Sequence, residues 1–236
     1  MLCSSTRSVG PQFFRTLMGV VLALVTVAAL AGPGTREGTG LVLIGSVVLA
    51  FCGSIVWTLG RTRAGQTVAG LLLVLLVWNL VSIALDARNS AGGPMALAGA
   101  VASAMLLGTM MAAMLLGHSY LVSPTMAIDP LQRLVALVGW SLVARTLLAG
   151  AGLVDLVRSS GMSTVFREFD TLWWSLLTAR WVIGLVGPAV ITWMAWQTSK
   201  IRSTQSATGI LYAGVGLTFL GELTSQILTA QAGFAL

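Results

Sequence analysis

Seven apolar runs follow one another along this chain, separated only by short clusters of glycine, proline and charge. They cover residues 14–32, 39–60, 65–86, 94–117, 131–157, 172–197 and 207–231. About 20 such residues make an α-helix some 30 Å long, the thickness of a bilayer's hydrocarbon core. Backbone in hydrocarbon must satisfy its own N–H and C=O groups, so each run is predicted to be one transmembrane helix. A membrane β-barrel would instead show short segments of alternating polarity. The expected fold is all-α: a polytopic helix bundle of about seven spans with short loops, forming a single transmembrane domain over residues 1–236.

Composition leaves little room for anything else. Of the 236 residues, 56% are hydrophobic and 8% charged, whereas a soluble domain carries about 25% charge. Seven spans use roughly 140 to 175 positions, so no soluble domain is expected. Glycine is abundant at 27 residues and proline scarce at 6; small residues let helices approach closely where packing, not hydrophobicity, holds them together. A net charge of +6 would suggest nucleic acid in a soluble protein. Here the cations flank apolar runs, so they read as topology signals and lipid-headgroup contacts, with no nucleic-acid partner. Cys3 and Cys52 form neither a disulfide framework nor a C-x-x-C motif.

The first run has basic residues at its start and Ala29-Leu30-Ala31 near its end, as a cleavable signal peptide would. Its apolar stretch is longer than a signal core, which favours an uncleaved span. With the N-terminus inside, Arg7, Arg15, Arg61, Arg63, Arg133, Lys200 and Arg202 fall on the inner side. Arg36, Arg88, Arg158 and Arg167 fall outside, seven against four. The positive-inside rule then expects a cytoplasmic N-terminus in a bacterial plasma membrane. Trp173 and Trp174 mark the outer end of the sixth run, and Trp193 and Trp196 its inner end. Their separation is about 30 Å, one hydrocarbon thickness.

Three ionisable residues lie deep in the last three runs. Arg145 is about 21 Å and Glu222 about 22 Å from the inner end of its run, while Arg180 enters about 12 Å from the other surface. In a core about 30 Å thick these fall at one level, which Asn79 in the third run also reaches. Charges in hydrocarbon are costly unless paired or hydrated, and arginine cannot shed its proton to escape. Glu222 can neutralise one guanidinium, leaving one positive charge for backbone carbonyls, water, a partner subunit or an anionic or carbonyl-bearing ligand. Thr218 and Gln226 flank Glu222 by one turn, and Ser141 precedes Arg145 by one turn, giving both helices a polar stripe. The bland reading is an Arg–Glu clamp between helices; the functional one is a ligand or proton site at Arg145, Arg180, Glu222 and Asn79.

A second candidate is the inner-side segment 118–130 with Arg133 just beyond it. It carries the only histidine, His118, with Tyr120 and Asp129, and its prolines Pro124 and Pro130 predict an extended, even re-entrant, connection. A histidine there can carry protons, ligate metal or haem, or meet a quinone; otherwise it caps a helix C-terminus. Met110, Met114 and His118 share one helix face at i, i+4, i+8, a weak candidate for a soft metal. The spacing is similar to the copper-transporter motif, without that family's helix count, and packing methionines are the commoner case, so no metal site is assigned. The segment 200–209 reads as a helix start with Ser and Thr caps.

No H-E-x-x-H, G-x-S-x-G or phosphate-binding glycine loop is present, so no catalytic motif supports an enzyme. Three readings remain. The chain could be a membrane subunit of a respiratory or redox complex holding a quinone or haem b among other membrane subunits. It could be a small secondary transporter using the Arg/Arg/Glu level for an anion or protons, although no internal repeat is visible. It could be a structural or assembly protein in which the charges only lock helices.

Overall fold

A computed structural model describes residues 11–31, 37–86, 93–122, 127–160 and 170–232. Arg7, Arg36, Arg88, Pro124, Arg167 and Cys3, named above, lie outside them. The protein is an all-helical integral membrane protein: seven helices are long and apolar enough to cross a bilayer, and no strand occurs among the described residues. The helices are α1 (Pro11–Ala31), α2 (Glu37–Thr58), α3 (Thr62–Asp86), α4 (Gly93–Val122) and α5 (Asp129–Ser160). The sixth span is α6 (Thr171–Trp181), a π-helical turn (Val182–Val186) and α7 (Gly187–Lys200), and α8 (Thr204–Ala232) closes the chain. The chain divides into two compact units, Met1–Asp86 and Ala87–Leu236.

In the first unit, α2 ends in a Schellman motif. Gly60 has φ 71°, its N–H bonds to the Trp57 carbonyl at 3.2 Å, and the Arg61 N–H reaches Val56 at 3.3 Å. Only glycine takes this left-handed position without a Cβ penalty. The turn is so tight that α3 starts at Thr62, placing Arg63 in a helix rather than in a loop. Phe14 stacks on Trp57 with centroids 4.7 Å apart. Gly65 makes room for that indole, since a Cβ there would lie 2.6 Å from it.

In the second unit, α4 packs on α5 and α8, and α7 packs on α5 and α8. Trp173, on α6, is buried with Leu156, Leu177 and Leu228 in a small apolar cluster. One expectation is corrected here. The α4 helix continues to Val122 and α5 begins at Asp129, so residues 118–122 and 129–130 of the predicted extended connection are helical. Nothing before Pro124 breaks a helix, and Pro130 fits a first helical turn, where its missing N–H costs nothing.

Candidate functional site

The sixth span breaks because of Pro188. Proline has no N–H for the carbonyl four residues back, at Gly184, and its ring crowds that carbonyl. The helix widens to a π turn over Val182–Val186, and the Gly187 N–H bonds back five residues to Val182. The turn presents Gly184 to Gly221 of α8. A Cβ on Gly184 would lie 2.5 Å from the Cα of Gly221, and one on Gly221 only 2.2 Å from that of Gly184. The two backbones therefore touch, the close approach that small residues permit in lipid. Glu222 follows Gly221, and Arg180 lies one turn before Gly184, so this contact brings a carboxylate against a guanidinium.

Four helices meet at that carboxylate. Arg180 of α6 donates from Nη1 to Oε1 of Glu222 at 3.2 Å. Arg145 of α5 donates from Nε to both carboxylate oxygens at 3.3 Å. Its Nη2 donates to Oε2 at 3.3 Å and to Ser225 Oγ at 2.6 Å. Ser103 of α4 donates from Oγ to Oε2 at 2.6 Å. Exposure is 0% for Arg180, 3% for Arg145 and 5% for Glu222, so the node is closed to its surroundings in this structure. Among the described residues, two guanidinium groups share one carboxylate. Arg180 Nε and Nη2 are buried and make no hydrogen bond among the described residues.

Ser103 and Ser225 are absent from the sequence-derived site. Ser103 is fourteen residues before Gly117, about 21 Å from the same end of its span. The rise arithmetic that singles out Arg145 would have found it. Of the residues flanking Glu222, Thr218 is buried and donates to its own helix at Gly214 O, 2.8 Å away, whereas Gln226 is exposed. The α8 polar stripe thus continues through Ser225 rather than Gln226. Ser141 is buried on α5. Asn79 lies on α3, in the first unit, and its Nδ2 has no hydrogen-bond partner among the described residues.

The other candidates are not brought together by hydrogen bonds or ion pairs among the described residues. His118 is exposed, with Nδ1 3.4 Å from the Tyr212 hydroxyl and its ring edge-on to that tyrosine. Tyr120 is buried and donates its hydroxyl to the Ala127 carbonyl. Asp129 and Arg133 are exposed in the first turns of α5. Met110 and Met114 are buried, and the Met110 sulfur lies 3.0 Å from where a Cβ on Gly214 would stand. Met110 therefore fills the gap that a glycine leaves between α4 and α8. No group of three His, Cys, Asp or Glu side chains among the described residues could hold a metal ion.

No protein-family model matches the chain, and neither a curated protein nor a solved structure resembles it significantly. The node must be interpreted from its own chemistry. The Arg180 guanidinium, with Nε and Nη2 unbonded among the described residues, can donate to an acceptor of negative charge.

Proposed function

We propose that the protein is a small secondary transporter of the bacterial plasma membrane, N-terminus in the cytoplasm, which carries a small monovalent anion past Arg180. The observation behind this is the fully buried Arg180, whose Nε and Nη2 make no hydrogen bond among the described residues, beside a broken helix. Intramembrane ionisable residues mark substrate and ion pathways, and interrupted spans supply binding sites near the bilayer midplane in transporters. The π turn is the natural hinge: it has fewer helical hydrogen bonds than its neighbours, and its movement would uncover Arg180. Glu222 holds both arginines in register.

The decisive variant is Arg180→Met. It removes the guanidinium with unbonded N–H groups and leaves Arg145 paired with Glu222, one charge against one among the described residues, so the fold stays stable. Proteoliposomes containing the full chain would be assayed for uptake of chloride, nitrate, acetate and inorganic phosphate. Wild type should take up at least one monoanion, and Arg180→Met should reduce that uptake at least tenfold while melting no earlier in detergent. Unchanged uptake, or none by the wild type, rejects transport and leaves a clamp that only locks helices.

A further inference from the structure

Away from the node, α5 and α7 border an open groove of about 440 Å³. Its walls include Gly139, Trp140 and Val143 from α5 and Thr192, Trp193 and Trp196 from α7. It runs about 10 Å along both helices at 1.5 Å rise per residue. Trp140 and Trp193 are 73% and 63% exposed.

The two walls are antiparallel and in a definable register. A Cβ on Gly150 would lie 4.0 Å from Trp181, and one on Gly139 would lie 3.9 Å from Thr192. Eleven residues back along α5 thus correspond to eleven residues forward along the sixth span. Extending the register places Arg133 opposite about position 198, beside Lys200. Both cations stand on the faces that line the groove. Arg133, Ala136, Trp140 and Val143 are spaced three, four and three residues apart; Lys200, Trp196, Trp193 and Ala189 are four, three and four apart. Both are exposed, and Lys200 Nζ sits 5.3 Å from the ring centre of Trp196. One end of an apolar groove is therefore bordered by two positive charges. Arg202 lies at the same end of α7, exposed and holding φ 57°, a left-handed position where glycine is usual.

We infer that this groove is a binding site for an anionic phospholipid, with an acyl chain between α5 and α7 and the headgroup phosphate between Arg133 and Lys200. Charge decides against the other occupants. A second copy docking through this face would set Arg133 and Lys200 against like charges. A quinone carries no negative charge to meet the two cations, and the hydroxyl of Thr192 already donates to Pro188 O at 2.7 Å. An anionic headgroup meets both cations, and tryptophans border acyl chains at the headgroup level. The inference stands apart from the anion-transport reading, since none of its residues belongs to the node.

The test uses the full chain in bilayers of phosphatidylcholine and phosphatidylglycerol, with bromine on the acyl chains of one lipid at a time. Bromine quenches tryptophan fluorescence only at close range. Quenching should be stronger when phosphatidylglycerol carries the label. Each cation near the surface favours an anionic lipid about fivefold, so Arg133→Gln with Lys200→Gln should lower the preference roughly 25-fold. Gly139→Leu fills the groove without touching the charges, and it should reduce quenching by either lipid. Equal quenching by the two lipids in the wild type overturns the inference. So does a preference that survives the double substitution, or a concentration-dependent dimer that Gly139→Leu abolishes.

Discussion

In α1–α3 the buried contacts are aromatic and apolar, with Phe14 stacked on Trp57 and Met18 3.0 Å from a Cβ built on Gly53. In α4–α8 three polar side chains, from α4, α5 and α6, converge on one carboxylate of α8. Between 17 and 22% of the most apolar stretch of each of the first three spans is buried, against 33 to 44% in the last four. Among the described residues the first unit buries no ionisable side chain; Ser46, fully buried, donates to its own helix at Val42. Dispersion in lipid is individually weak and indifferent to partner, since a lipid tail is as apolar as leucine. A shared carboxylate accepts only particular donors in particular places. The first unit therefore has the chemistry of generic packing, and the second the chemistry of a defined arrangement.

The sharpest test of that contrast pairs one substitution from each unit. Glu222→Gln leaves two buried guanidinium groups without a counter-charge, a loss of about 3–5 kcal/mol. Phe14→Ala removes a stacked ring and costs about 3 kcal/mol. Hydrogen exchange in detergent should show Glu222→Gln loosening α4–α8 and Phe14→Ala loosening α1–α3. Anion uptake should vanish in the first variant and persist in the second. If both variants loosen the same helices, or Phe14→Ala abolishes uptake, the division of labour is wrong.

A smaller effect is expected at the glycine contact that builds the node. Gly184→Ala drives a methyl group to 2.5 Å from the Cα of Gly221. Backbone cannot swing aside as a side chain can, so α8 must shift away from the π turn, at a cost of about 1–3 kcal/mol. Melting in detergent should fall by less than in Glu222→Gln. Uptake should fall with it, because Glu222 retreats from Arg180. Gly216→Ala is the control: a Cβ there meets nothing within 4 Å, and the helix should gain slightly from alanine's propensity.

Height was readable in the sequence and direction was not. Helix rise is constant, so Arg145, Arg180 and Glu222 could be assigned to one level, and the seven spans follow from length and apolarity alone. Ser103 was equally open to that arithmetic. Rise says nothing, however, about which helices are neighbours or which way a residue points. Ser225 and Gln226 lie three and four positions beyond Glu222, on either side of its direction, and the position of Arg145 on α5 selects Ser225. The π turn was signalled only by Pro188, and its pairing with Gly221 depends on two helices distant in sequence. The stretch 118–122 is harder to read for a different reason: its polar residues look like a loop, yet no breaker precedes Pro124, and α4 continues to Val122.

The finest distinction between the two units concerns a single hydroxyl. Ser103 donates to Glu222 at 2.6 Å, and a hydrogen bond to a charged group is worth about 1.5–3 kcal/mol in water-soluble proteins. In bilayers the average falls to about 0.6 kcal/mol, because the unfolded helices also find partners there. Glu222 keeps its donors from both arginines when Ser103 becomes alanine, so no oxygen is stranded, and the loss should lie near the lower figure, about 0.6 kcal/mol. Ser46→Ala in the first unit removes a hydroxyl that donates within its own helix and should cost less still. Melting temperatures in one detergent decide the order. A larger loss at Ser46 than at Ser103 would mean that α4 is held by packing like the first three helices, with the node joining only α5, α6 and α8.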